Sequence, residues 1–66
     1  MDKGDTVMAF VQGYTNEHGF SPCLREIMEA CGFSSTSHTS FWVDKLIEKG
    51  RLTKVPNIAR SIRVVA

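Results

Sequence analysis

Apolar residues along this chain fall into three stripes of helical spacing, followed by a stretch of strict alternation. Val7, Phe10, Val11 and Tyr14 stand at i, i+3, i+4 and i+7, which gathers their side chains on one face of an α-helix. A first helix is therefore expected over residues 5–19, with Asp5 or Thr6 as N-cap, residues 1–4 as a disordered start and Gly19 as a left-handed C-terminal cap. Gly13 weakens that helix by about 1 kcal/mol relative to Ala. Its presence implies either close packing against a neighbour or a marginal last turn.

Ser21 and Pro22 restart the chain, Pro being well suited to a helix start where no N–H is needed. The second helix, over residues 22–31, turns Leu24, Ile27, Met28 and Cys31 inward and Arg25, Glu26 and Glu29 outward. Gly32 ends it and Phe33 plugs the turn. Ser35 is the natural N-cap of a third helix over residues 35–49, whose apolar stripe is Thr39, Trp42, Val43, Leu46 and Ile47. Trp42 reads as core, with an indole N–H that needs a partner or an edge position. Ser37, His38, Ser40, Phe41 and Lys45 are left on or near the opposite side.

After Gly50 the period drops to two. Residues 51–55 and 60–64 alternate polar and apolar around an interruption at residues 56–59, which predicts a β-hairpin over residues 51–65. Leu52, Ile62 and Val64 close the core beneath it. The expected class is mainly α with a small β-hairpin, a three-helix winged helix-turn-helix forming one domain over residues 1–66. No internal repeat, low-complexity tract or linker interrupts it.

Sixty-six residues with 42% apolar content leave room for one small core and none for a separate enclosed active site. No Ser-His-Asp, paired-carboxylate or metal constellation is present, so an enzyme is the weakest reading. Cys23 and Cys31 lack finger spacing and read as separate reduced thiols, with no metal, cofactor or small-molecule ligand implied. Neither a cationic leader followed by an apolar run nor a membrane-spanning stretch is seen. The expectation is a soluble, cytoplasmic protein associated with the nucleoid and with no membrane partner.

A formal charge of +1 is weak for a nucleic-acid binder, because phosphate affinity comes from several cations that release counterions. The distribution is uneven, however: Lys45, Lys49, Arg51, Lys54, Arg60 and Arg63 face only Glu48 in the last third. A helix-turn-helix with a cationic hairpin points to double-stranded DNA, with the third helix in the major groove. Ser35, Thr36, Ser37, His38, Ser40 and Phe41 are the candidate base-reading residues, since hydroxyls and imidazole bond base edges and an exposed Phe packs on thymine methyl groups. Each has an alternative: Phe41 can cover core, His38 can be an inert surface imidazole, and Ser35 fits a solvated cap. Arg25, Lys45, Lys49, Lys54, Asn57, Arg60 and Arg63 are the candidate phosphate and wing contacts, Asn57 at the wing tip being able to approach the minor groove. An ion pair between Arg25 and Glu29 accounts equally well for Arg25.

The residues resemble the DNA-binding domain of LexA-type repressors. Gly19-Phe20-Ser21-Pro22-Cys23-Leu24-Arg25-Glu26-Ile27 is similar to that family's Gly-aromatic-Pro-Pro-Ser/Thr-x-Arg-Glu-Ile segment, and Gly32-Phe33-Ser34-Ser35 to its helix-turn. Leu46-Ile47-Glu48-Lys49-Gly50 is similar to the end of its recognition helix, and Arg60-Ser61-Ile62-Arg63-Val64 to the returning strand of its wing. The likeness runs from about Val7 to Val65. It implies the winged fold, and it puts the six candidate base-reading positions where the family meets the major groove.

Departures are visible too. Cys23 stands where the family has Ser or Thr, and cysteine is a poorer cap, so Ser21 becomes the alternative cap of helix two. A Ser replaces the first Pro, and the polar opening of helix one is reduced. LexA repressors continue into a Ser-Lys self-cleaving domain that also dimerises. For this chain, ending at Ala66, the choice lies between a domain cut away and a free-standing module, as from a mobile element; no self-cleavage is assigned. The reading is a transcriptional repressor or regulator module, acting as a homodimer on a palindromic site because one module offers few contacts. The alternative function is a winged-helix protein-interaction module that binds a regulator or polymerase subunit.

Overall fold

The computed structural model describes residues 2–65, and over them the three apolar stripes converge on one core. Helix α1 spans Lys3–His18, α2 spans Leu24–Cys31 and α3 spans Thr36–Glu48. Strands β1 (Leu52–Thr53) and β2 (Arg63–Val64) form an antiparallel pair with Leu52 opposite Val64 and Thr53 opposite Arg63. Val7 and Val11 from α1, Ile27 from α2, Val43 and Leu46 from α3, and Leu52 and Ile62 from the hairpin are buried together, with Phe33 filling the α2–α3 turn. The architecture is a three-helix winged helix-turn-helix.

Helix α1 begins earlier than expected. Asp2, not Asp5 or Thr6, is the N-cap: its carboxylate accepts the Asp5 N–H at 2.8 Å, and its carbonyl accepts the Thr6 N–H at 3.1 Å. Lys3 and Gly4, read as part of a disordered start, are helical; Met1 lies outside the described residues. A Cβ on Gly4 would lie 3.4 Å from Leu46 Cδ2 and 3.3 Å from Asp2 Oδ1, so the missing side chain lets the first turn of α1 pack directly on α3. Gly19 ends the helix at φ 78°, as its sequence position implies.

The start of α2 corrects a second expectation. Cys23 occupies the N-cap, and its backbone N–H is held by the Glu26 carboxylate at 2.8 Å, the returning arm of a capping box. Ser21 is instead buried in the preceding turn, and its carbonyl accepts from Arg60 at 3.2 Å. The acid at the third helical position thus satisfies the N-cap N–H whatever the side chain at position 23. Ser35 caps α3 as expected, its hydroxyl oxygen accepting the His38 N–H at 3.1 Å.

The hairpin is shorter than its alternating sequence suggests. Its ladder covers two residues on each side, and residues 54–62 form a wing of turns. Two features break the extended backbone: Asn57 and Arg60 take left-handed conformations, at φ 65° and 57°. The wing satisfies its polar groups through Ser61, whose hydroxyl accepts the Val55 N–H at 3.0 Å and sits within donating distance of the Val55 and Ile58 carbonyls, at 3.1 and 2.9 Å. A side-chain hub replaces the cross-strand ladder.

Glu26 ties this wing to the helices. Besides the Cys23 N–H, its carboxylate receives the Arg60 guanidinium at 2.8 and 3.3 Å and the Tyr14 hydroxyl at 3.0 Å. The backbone N–H of Cys23, with the Arg60 guanidinium after it, pulls the Glu26 carboxyl down to about 2. A folded-state value below the ordinary carboxylate range means that Glu26 adds stability fully above about pH 5 and loses it as pH falls towards about 2.

Two outcomes follow from these local arrangements. Gly13 is exposed with open space where a Cβ would stand, so close packing does not account for it. Gly13→Ala should raise stability by about 0.5–1 kcal/mol in urea unfolding, and a loss would contradict the helix geometry. For Glu26, Tm recorded from about pH 5 to about pH 2 should fall less steeply in Glu26→Gln than in the natural chain, because the amide does not titrate. Parallel curves would show that the carboxylate is not held as described.

Candidate nucleic-acid interface

Helix α3 presents two faces of opposite character. Thr39, Val43 and Leu46 are buried, whereas Thr36, Ser37, Phe41 and Lys45 are exposed. Thr39 enters the core without an unpaired hydroxyl, since its Oγ1 donates to the Ser35 carbonyl at 2.9 Å. Phe41 is 55% exposed, standing edge-on to Trp42 with the Lys45 ammonium 5.3 Å from its ring centroid. Of its two sequence alternatives, the solvent-facing one is realised.

The partner required by the Trp42 indole is His38. The Trp42 Nε1–H donates to His38 Nε2 at 3.2 Å, one helical turn away, and the imidazole also leans on Phe33 with centroids 5.1 Å apart. With Nε2 accepting, Nδ1 is the ring nitrogen left to donate. One nitrogen of His38 is therefore occupied inside the protein. Ser35 is similarly committed by its cap, while Thr36 and Ser37 are exposed and Ser40 is half-buried.

Between α3, the start of α2 and the wing runs an open groove of about 650 Å³. Leu24, Arg25, Thr36, Ser40 and Val43 line its helical wall, and residues 54–62 form the other side. The exposed side chains of Val55 and Ile58 crown the wing beside Asn57.

The cationic last third is more nearly neutralised in space than along the chain. Arg51 pairs with Asp5 at 3.6 Å, Lys54 with Asp44 at 3.1 Å and Arg60 with Glu26 at 2.8 Å. Arg25, Lys45, Lys49 and Arg63 have no acidic partner among the described residues, and all four are exposed. The i,i+4 pair of Arg25 with Glu29 is not formed. Besides Lys3 at the start of α1, positive charge without an acidic partner stands at Arg25 near the groove, at Lys45 on α3 and Lys49 at its C-cap, and at Arg63 on the returning strand. Lys54 holds Asp44 through an exposed pair of the kind that contributes little and exchanges readily.

Sequence reasoning did not find Glu26, Tyr14 and Asp44 as partners of wing cations. Glu26 read as an outward acid and Tyr14 as part of an apolar stripe, and their contacts to Arg60 join residues 34 and 46 positions apart. No local periodicity reports such a contact.

Cys23 and Cys31 are both free, and burial pushes the Cys31 thiol above the usual thiol range. Among the described residues no group of three or more His, Cys, Asp or Glu side chains is placed to hold a metal ion. No helix among them is long and apolar enough to cross a membrane.

Comparison with known proteins agrees with this arrangement. A family model described as the LexA DNA binding domain matches residues 2–61. The chain is 38% identical over 64 residues to a LexA repressor of Ruminiclostridium cellulolyticum, covering 97% of this chain and 30% of that protein. It is 36% identical over 63 residues to a LexA repressor of Limosilactobacillus fermentum, with 96% and 30% covered, and 40% identical over 58 residues to one from Oenococcus oeni, with 88% and 27% covered. The chain spans about 30% of the length of the first two of these relatives. With its helices, turn and wing in the order and places described, the chain belongs to the LexA DNA-binding domain family.

Proposed function

We propose that this domain binds double-stranded DNA in a sequence-specific manner as part of a transcriptional repressor, with α3 in the major groove. The observation that carries the reading is the division of α3: an apolar face locked into the core and an exposed face bearing Thr36, Ser37 and Phe41 beside the half-buried Ser40. A helix so mounted projects from the body of the domain, and short hydroxyls on it reach base edges without long, mobile linkers. The printed names of the relatives, LexA repressors, support the same role.

The candidate contacts divide by geometry. Ser37, Ser40 and Phe41 are the principal base readers, Phe41 meeting thymine methyl groups. His38 contributes from Nδ1–H alone, because Nε2 holds Trp42. Ser35 and Thr36, at the N-terminus of α3, suit a phosphate or a base at the groove edge, where the helix dipole also favours an anion. Arg25, Lys45, Lys49, Lys54 and Arg63 supply phosphate contacts, and Asn57 reaches towards the minor groove. One module of this size makes few contacts, so two copies on a two-fold related site provide the specificity. Such a role places the protein with the nucleoid.

Selection of bound duplexes from a random pool tests this directly. An enriched palindrome is expected, with affinity falling steeply as salt rises and Ser37→Ala or Phe41→Ala relaxing preference at defined base pairs, by about 1–3 kcal/mol per lost contact. Absence of duplex binding at low salt would overturn the reading in favour of a protein partner. Equal weakening on all duplexes would overturn the groove assignment.

A further inference from the structure

Arg60 belongs to the wing, yet its side chain faces the helices. Its guanidinium lies 2.8 Å from Glu26 Oε1, 3.2 Å from the Tyr14 hydroxyl and 3.2 Å from the Ser21 carbonyl, and it covers the ring of Phe20 at 5.1 Å. A second guanidinium nitrogen reaches Glu26 Oε2 at 3.3 Å, making the pair two-pronged. The backbone at Arg60 is left-handed, at φ 57°, a conformation that a non-glycine residue keeps when its surroundings over-determine it. Contacts to α1, to the α1–α2 turn and to α2 provide those surroundings.

Apart from Ile62 in the core and the exposed pair of Lys54 with Asp44 on α3, the wing has few other ties to the body. Its strands pair over two residues, its turns are closed internally by Ser61, and Val55, Asn57, Ile58 and Ala59 are exposed. Glu26, for its part, is fixed at the first turn of α2 by the Cys23 N–H. The start of the helix that precedes the recognition helix and the end of the wing are thereby joined through one carboxylate.

The structure assigns Arg60 and Glu26 as a latch that sets the angle of the wing relative to α3, making them positioning residues for DNA binding. This assignment rests on the duplex-binding reading given above. Arg60 then contributes no phosphate contact of its own. Its work is to hold Lys54, Asn57 and Arg63 where they meet the backbone of a duplex that α3 has entered, with Tyr14 bracing the pair from α1.

The two roles open to Arg60 predict opposite signs for one substitution. If Arg60 contacts phosphate, Glu26→Gln removes a competing negative charge and binding tightens or stays the same. If Arg60 is the latch, the same change weakens binding although the domain becomes more positive. Gln is a suitable replacement because it still accepts the Cys23 N–H at the third position of a capping box, so α2 keeps its start. Arg60→Lys is the second variant: it keeps the charge but not the two-pronged geometry.

Duplex affinity should be measured for the natural chain, Glu26→Gln and Arg60→Lys across a salt series on the selected duplex, with Tm recorded at pH 7 for each. The latch predicts roughly tenfold weaker binding in both variants and a salt dependence shallower by about 2 in log–log slope, as Lys54 and Arg63 lose their phosphates. Heteronuclear NOEs of the amides of residues 54–61 should fall in both variants while those of α1 and α3 hold. Unchanged or tighter binding by Glu26→Gln, or natural affinity and slope in Arg60→Lys, overturns the latch. If the natural chain itself fails to bind, the duplex-binding reading has failed instead.

Discussion

Everything in this small domain depends on the burial of one side of α3 against Ile27, Val7 and Val11. With 66 residues there is a single core to build, and each helix must give it a face. Val43 and Leu46 insert from α3, Leu52 and Ile62 close the base from the hairpin, and Phe33 seals the turn. The rotation of α3 is consequently fixed. A shift of one residue would drag the aliphatic side chains out of the core and drive Ser40 or Asp44 inward, which neither the hydrogen bonding nor the packing here can satisfy. The exposed side of α3 is therefore a consequence of the buried side, and the functional face inherits the rigidity of the core.

Near-neutral net charge is reconciled with the proposed affinity for polyanions by the way charges are paired. Arg51, Lys54 and Arg60 each meet an acid, so half of the cations in the last third serve partly or wholly to hold structure. Of the cations without acidic partners among the described residues, Lys3 lies at the start of α1, and the others stand near the groove, on α3 or just after it, and on the returning strand. A phosphate backbone would meet the cations that have no acidic partner or can leave it, and counting Lys and Arg along the chain overstates them. Glu26 shows the point most clearly, since one carboxylate completes the cap of α2, receives the Tyr14 hydroxyl and fixes the wing.

The helices and core were legible in the sequence because their causes are local. Period, glycine stops and the Ser35 cap each act within a few residues, and Gly19, Gly32 and Ser35 end or begin helices where their chemistry says they should. The departures arise where a tertiary contact or a single backbone conformation overrides the local pattern. Asp2 outcompetes Asp5 and Thr6 as a cap because packing of Gly4 on Leu46 extends α1 backwards, a tertiary effect with no trace in spacing. Alternation in residues 51–64 promised a longer ladder than the left-handed turns at Asn57 and Arg60 allow. Of the candidate interface, the polarity of α3 could be read directly. The internal employment of His38 and Arg60 could not, because an imidazole or a guanidinium looks the same in sequence whether it faces solvent or a Trp and a Glu.

The central claim is that the polar side of α3 is free and meets a duplex, and amide chemical-shift mapping of the labelled domain during titration with its selected duplex addresses it most directly. The account predicts the largest perturbations at Thr36, Ser37, Ser40 and Phe41, a second set at Arg25 and across residues 54–63, and little change at Ala9, Gln12, Gly13 and Asn16 on the exposed side of α1. Perturbations centred on α1, with residues 36–41 unmoved at saturation, would contradict it.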